Sequence, residues 1–114
     1  MPAVPAFYEF FAGGGMARAG LGAAWQAQFA NDIDPAKAAS YQANWGVDDF
    51  KLGDIVNLTT DDLPGHADLA WASFPCQDLS LAGGRRGLAG ARSGMFWAFW
   101  RLIEGLEREG RAPN

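Results

Sequence analysis

One cysteine and one histidine stand among 114 residues, and that scarcity removes several kinds of protein at once. A single cysteine excludes an internal disulfide. Cys76 and His66 alone cannot assemble a Cys/His zinc site, so no metal is expected. The opening stretch MPAVPAFYEFF has no basic residues ahead of its apolar run, so no signal peptide is expected. No apolar run approaches bilayer-spanning length, so no membrane anchor is expected either, and the cytoplasm is the expected location. Positive charge is in short supply as well. Nine Lys and Arg face thirteen Asp and Glu for a net charge of −4, so no overall field would hold nucleic acid non-specifically. Only a local basic patch could do so. Repeats, low-complexity tracts and linkers are also absent.

What remains is a packable chain. It is 49% hydrophobic and 19% charged, which suits one modest globular domain and is too short for two. Five Trp and eight Phe are a large apolar load, part of it expected to pack against a segment outside this chain.

Local patterns alternate between strand and helix. AFYEFF (6–11) predicts a buried strand stopped by glycines. GMARAGLGAAW (15–25) predicts a short helix with Met16, Ala19 and Ala23 on one face, which Gly20 and Gly22 tend to end early. QAQFAND (26–32) predicts a second strand. DPAKAASYQANWG (34–46) has helix grammar throughout: Asp34 to cap, Pro35 at the first position, Gly46 to stop. DLAWASF (68–74) predicts a strand halted by Pro75. SGMFWAFWRLIEGLERE (93–109) predicts a helix capped by Ser93, with Met95, Phe99, Leu102 or Ile103, and Leu106 at helical spacing. Such alternation argues for an α/β fold with a parallel sheet covered on both faces, whose ligands sit outside the carboxyl ends of the strands. The glycines after the first strand, Asn31 and Asp32 after the second, and Cys76 after a later one all fall on that rim.

FAGGGMARAG (11–20) invites comparison with the dinucleotide fingerprint G-x-G-x-x-G. Gly13 and Gly15 fill two positions, but Arg18 stands where the third glycine belongs, which disfavours a nicotinamide cofactor. Asp32, 19 residues after Gly13, is placed to accept ribose hydroxyls. A glycine loop without a full phosphate cradle, followed by a ribose-reading acid, fits an adenosyl ligand lacking phosphates, with S-adenosylmethionine the obvious candidate. A plain turn beside a helix-adjacent acid fits the same residues. Asp54, after a glycine in LGDIVNL (52–58), could receive an adenine amine, though Gly-Asp alone is ordinary loop chemistry.

A lone cysteine is commonly a small buried hydrophobe. The neighbours of Cys76 argue otherwise. Pro75 fixes the turn, Gln77 and Asp78 are polar, and GGRRG (83–87) sets Arg85 and Arg86 between glycines, with Arg92 close behind. Nearby cations favour a thiolate and meet phosphates, although paired arginines also suit a solvated surface loop. The glycines further predict that 79–92 is mobile in the absence of nucleic acid.

These stretches together resemble the N-terminal part of the cytosine-C5 DNA methyltransferases. FAGGGMARAGLG is similar to that family's first motif, NDIDPAKAASYQANWG to its second, GDI (53–55) to its third, and SFPCQDLSLAGGRRGL (73–88) to the fourth, which bears the catalytic Pro-Cys. RSGMFWAFWRLI (92–103) resembles the helix that follows. The resemblance implies an incomplete, Rossmann-like S-adenosylmethionine-dependent methyltransferase fold, with a cofactor loop at 11–20 and a catalytic loop at 74–92. It implies Cys76 as nucleophile. Phe11, Gly13, Gly15, Asp32, Ile33, Asp54 and Pro75 would serve the cofactor, with Asp32 on the ribose and Ile33 against the adenine. Gln77, Ser80, Arg85, Arg86 and Arg92 would contact DNA around a flipped cytosine.

The resemblance departs at Glu9, where the family usually has an aspartate. It also stops at REGRAPN, before the strand bearing the catalytic glutamate and before the target-recognition region. The expected partners are therefore DNA and the remainder of the methyltransferase or a complementing subunit. The expected setting is bacterial or phage-like restriction-modification at the nucleoid. A transfer-RNA cytosine-5 methyltransferase and a non-catalytic S-adenosylmethionine-binding module are the alternatives.

Overall fold

The computed structural model describes residues 4–73 and 94–113. The expected catalytic loop 74–92, with Pro75, Cys76, Gln77, Ser80, Arg85, Arg86 and Arg92, lies outside the described residues, as do the expected mobility of 79–92 and the Ser93 cap.

Five apolar or aromatic-flanked residues, Ala6–Phe10, form β1, and every one of them is buried. Strands β2 (Gln26–Asp32), β3 (Phe50–Leu52) and β4 (Leu69–Ala72) join it in a parallel sheet ordered β3-β2-β1-β4. The register is level at one end. Phe10 lies opposite Asn31 on one side and Ala72 on the other, and Asn31 lies opposite Lys51. The carboxyl ends of all four strands therefore form a single rim.

Helix α2 (Pro35–Trp45) follows its sequence grammar. The Asp34 carboxylate accepts the Ala36 N–H at 2.8 Å, Pro35 opens the helix, and Gly46 closes it at φ 90°. Such a cap contributes about 1 kcal/mol. Helix α1 is shorter than the sequence pattern predicts. It spans Met16–Leu21, buries none of its residues, and ends at Gly22 with φ 81°. The expected face of Met16, Ala19 and Ala23 does not form: Met16 is 84% exposed and Ala23 lies beyond the helix. Helix α3 (Gly94–Arg108) runs close to its expected bounds.

Side chains alternate across the sheet as the pleat requires. Tyr8, Phe10 and Phe29 point to one side, where they pack with Ile55, Leu58, Leu63 and the α3 residues Ala98, Leu102 and Leu106. Met95, Phe99 and Ile103 pack at the margin of this core. Each large apolar side chain buried there contributes roughly 1.5–3 kcal/mol. On the other side Ala12, Ala30 and Tyr41 form a smaller cluster bordered by Trp45 and Phe50. The sheet is thus covered on both faces, as expected of alternating strands and helices. Strand β3 carried no strand signal of its own, because FKL has three residues, two of them exposed.

Candidate functional site

The rim is built by backbone and carboxylate hydrogen bonds between segments distant in sequence. After Phe10 the chain turns at Phe11, the one non-glycine residue with positive φ among the described residues, at 57°. A strained backbone of this kind costs on the order of 1–3 kcal/mol and clusters at functional positions. Gly13 follows at φ 55° and Gly15 at φ 87°. The two glycines are needed for different reasons. A Cβ on Gly15 would lie 2.3 Å from Trp45 Nε1, so the loop and α2 could not approach as they do. A Cβ on Gly13 would meet nothing within 4 Å. Gly13 therefore leaves space above the loop rather than close packing beneath it.

Asp32 closes the arrangement. Its Oδ2 accepts the Gly13 N–H at 2.9 Å and its Oδ1 accepts the Asp34 N–H at 2.9 Å. Asp32 as a whole is 7% exposed. Each oxygen has two lone pairs and takes one N–H here, so acceptor capacity remains for a ligand's hydroxyls. Ile33, next in sequence, is exposed. The third loop is tied in by Asn31, a buried residue that sequence reasoning placed on the rim without assigning it a task. Its amide donates to Lys51 O at 2.9 Å and Gly53 O at 3.0 Å, and Gly53 N–H donates to Asp32 O at 2.9 Å. Asp54 follows, with Oδ1 accepting the Val56 N–H at 3.0 Å and so fixing the start of a short 3-10 turn.

Phe11, Gly13, Gly15, Asp32, Ile33 and Asp54 thus all lie at the carboxyl end of the sheet, as sequence position predicts. Hydrogen bonds link the glycine loop to the Asp32 loop and the Asp32 loop to the Gly53–Asp54 loop. The residues suit an adenosyl group: an open glycine loop, a carboxylate with spare acceptors, and an exposed aliphatic side chain beside it. Cys76, Pro75 and the Gln77–Arg92 group lie outside the described residues. No cluster of three or more His, Cys, Asp or Glu arranged to hold a metal occurs among the described residues. No helix among them is long and apolar enough to cross a membrane.

Beneath the loop lies a polar layer that the sequence pattern did not reveal. Arg18 donates to Tyr41 Oη and Asp49 Oδ2, both at 2.9 Å, and its guanidinium sits 4.7 Å from the Trp45 ring centroid. Trp45 Nε1 in turn donates to Gly14 O at 3.0 Å. Arg18 is therefore a clamp joining α1, α2 and the segment before β3, which accounts for an arginine where a dinucleotide fingerprint has glycine. Burial pushes the Tyr41 hydroxyl up to about 12, against the pull of the Arg18 hydrogen bond. Glu9, on β1, is buried beside them.

Residues 6–108 match the model of the C-5 cytosine-specific DNA methylase family. The chain is 36% identical over 110 residues to the type II methyltransferase M.AluI of Cellulosimicrobium cellulans, covering 90% of this chain and 20% of that protein. It is 42% identical over 83 residues to M2.BsuMI of Bacillus subtilis, covering 72% of this chain and 20% of the relative. With M.NlaX of Neisseria lactamica the identity is 36% over 98 residues, covering 83% and 31%. The chain therefore spans between a fifth and a third of the length of these relatives. Among solved structures, the S. pombe Dnmt2 methyltransferase superposes with a TM-score of 0.66 at 25% identity. That match covers 88% of this chain and 32% of that one. The likeness gives the sheet a Rossmann-like methyltransferase architecture, of which this chain forms part.

Proposed function

The chain belongs to the C-5 cytosine-specific DNA methylase family, and from that premise we propose that it carries the nucleophile and much of the S-adenosylmethionine pocket of a DNA cytosine-C5 methyltransferase. The observation that carries the reading is the Gly13 N–H to Asp32 Oδ2 hydrogen bond, which joins an open glycine loop and an acceptor-rich acid on one rim. Asp32 would hold the ribose hydroxyls, Ile33 and Phe11 would flank the adenine, and Asp54 would receive its amine. S-adenosylmethionine, when bound, supplies the electrophilic methyl group that carbon 5 accepts.

Carbon 5 of cytosine is a poor nucleophile until carbon 6 is attacked. Cys76 supplies that attack as a thiolate, forming a sulfur–carbon bond and leaving carbon 5 enamine-like. The base must leave the duplex first, since its face is stacked inside. Gln77, Ser80, Arg85, Arg86 and Arg92 would meet the phosphates and the opened site, with the arginines also favouring the thiolate. Loss of the carbon-5 proton then breaks the sulfur–carbon bond and frees Cys76. The general acid at ring nitrogen 3 and the surface that reads sequence belong to the remainder of the methyltransferase, or a complementing subunit. The type II methyltransferases among the bacterial relatives support a bacterial or phage-like cytoplasmic setting for the reaction, at the nucleoid. The family description names DNA, which favours DNA over transfer RNA as substrate.

The test is covalent trapping. DNA carrying 5-fluorocytosine, supplied with S-adenosylmethionine and the complementing remainder, should yield a denaturation-resistant adduct with the chain, because fluorine blocks the final elimination. Cys76→Ser should abolish it, since a hydroxyl is far less ionised than a thiol at neutral pH. Trapping that persists at full yield with Ser at position 76 would remove the nucleophile assignment.

A further inference from the structure

Glu9 combines three features that the rim itself does not use. It is 1% exposed, its Oε1 has no hydrogen-bond partner among the described residues, and its Oε2 accepts the Ala17 N–H at 3.3 Å. Ala17 is the second residue of α1, so the bond runs from β1 to the start of the helix. Between those two points lies the arch Phe11–Gly15, which contains Gly13, Gly14 and Gly15. Holding both feet of an arch fixes the arch.

The charged and titratable groups facing Glu9 come from each element packed against that layer. Arg18 lies on α1, Tyr41 on α2, and Asp49 in the segment before β3. Arg18 is already engaged, donating to both Tyr41 and Asp49 and pairing with Asp49 at 2.9 Å. Two carboxylates therefore lie near one guanidinium, and its side-chain hydrogen bonds go to Asp49 and Tyr41. An ionised Glu9 accepts the Ala17 N–H in a charge-assisted bond, roughly twice as strong as a neutral one. A protonated Glu9 loses that advantage.

We propose that Glu9 is a positioning residue whose protonation state sets how firmly the Phe11–Gly15 arch is held for S-adenosylmethionine. The proposal rests on reading the rim as the cofactor pocket. Burial first, then the Asp49 charge, push the Glu9 carboxyl up to about 7 from its usual 4.5, against the pull of the Ala17 and Arg18 amides and the Arg18 charge. The switch therefore operates in the neutral range. Affinity rises with pH through that range, because only the ionised form anchors α1 fully.

The chain itself, free of ligand, provides the first readout. In an NMR titration the Glu9 carboxyl carbon should shift with a midpoint near 7. The amides of Gly13, Gly15 and Ala17 should move with the same midpoint. Glu9→Gln should remove the transition from those amides. If that variant does not fold, the wild-type titration still decides. A Glu9 midpoint near 4.5, or loop amides that do not follow it, overturns the proposal. The second readout is S-adenosylmethionine affinity by calorimetry, expected to fall about fivefold from about pH 8 to about pH 6 in the wild type. In Glu9→Gln it should be flat and low. Affinity equal at both pH values, with the loop amides titrating, overturns the link to cofactor. Absence of binding at every pH, with the amides still titrating, points instead to failure of the cofactor reading beneath it.

Discussion

The two faces of the sheet are built from the same strands and differ in kind. On the α3 face, Tyr8, Phe10 and Phe29 meet Leu102 and Leu106 in a core that holds no buried charge among the described residues. On the α1–α2 face, one residue along from Phe10, Glu9 is buried beside the Arg18–Tyr41–Asp49 cluster, and the apolar packing shrinks to a few residues around Tyr41. The first face converts burial into stability. The second accepts buried polar groups, which are costly unless fully satisfied, and in return fixes a backbone loop that ends at an open rim. Stability and site construction are separated by the alternation of a single strand.

Substitutions can break that contrast, and their expected effects differ in size. Phe10→Ala should be the most damaging. It removes a ring packed 5.9 Å from Phe29 and 5.2 Å from Phe99 between centroids, at a cost of about 3–5 kcal/mol in chemical denaturation. Gly15→Ala attacks the other face. The left-handed backbone and the overlap with Trp45 should together cost about 3 kcal/mol or displace the loop, with S-adenosylmethionine affinity falling in parallel.

Stability against pH sharpens the contrast further. The folded Glu9 value of about 7 lies above the ordinary 4.5, so the native state binds the extra proton. Its contribution is fully present below about pH 4.5 and is lost as pH rises through about 7. We expect about 2 kcal/mol across that window after allowance for solvent screening. Denaturation midpoints should show this slope in the wild type and not in Glu9→Gln. At the small end, Lys51→Ala removes the exposed pair with Asp62 at 2.6 Å and should cost less than about 1 kcal/mol. Asp62, held below the usual carboxylate range chiefly by that Lys51 hydrogen bond, should titrate closer to its ordinary value in the variant.

Several of these features were legible in the sequence, and others depended on tertiary contacts. Helix α2 was legible because Asp34, Pro35 and Gly46 are local signals, and local signals survive folding. The rim was legible because each of its residues follows a strand. Helix α1 was only half legible. Its glycines announced an early end, but the expected apolar face presumed a length the helix does not reach. Strand β3 went unread because three residues give no period; pairing with β2 defines it. Arg18 was legible only as a misfit to a dinucleotide fingerprint, since its task is set by Tyr41, Trp45 and Asp49, distant in sequence. Glu9 looked like a mild exchange for aspartate. Its burial follows from which face of β1 it occupies, and the run AFYEFF, aromatic on both faces, does not mark that choice.

The central claim is that the carboxyl rim is the cofactor site, and the molecule offers a competing place against which to test it. A groove of about 630 Å³ opens at the amino end of the sheet, lined by Val4, Arg18, Trp25, Gln26 and Trp45 among others. Titrating S-adenosylmethionine into the isotopically labelled chain while following its amide resonances separates the two. Shifts should concentrate at Gly13, Gly15, Asp32, Ile33 and Asp54, and should be lost in Asp32→Ala with the remaining spectrum intact. Shifts confined to Val4, Trp25 and Gln26, or rim shifts of equal size in Asp32→Ala, would contradict it.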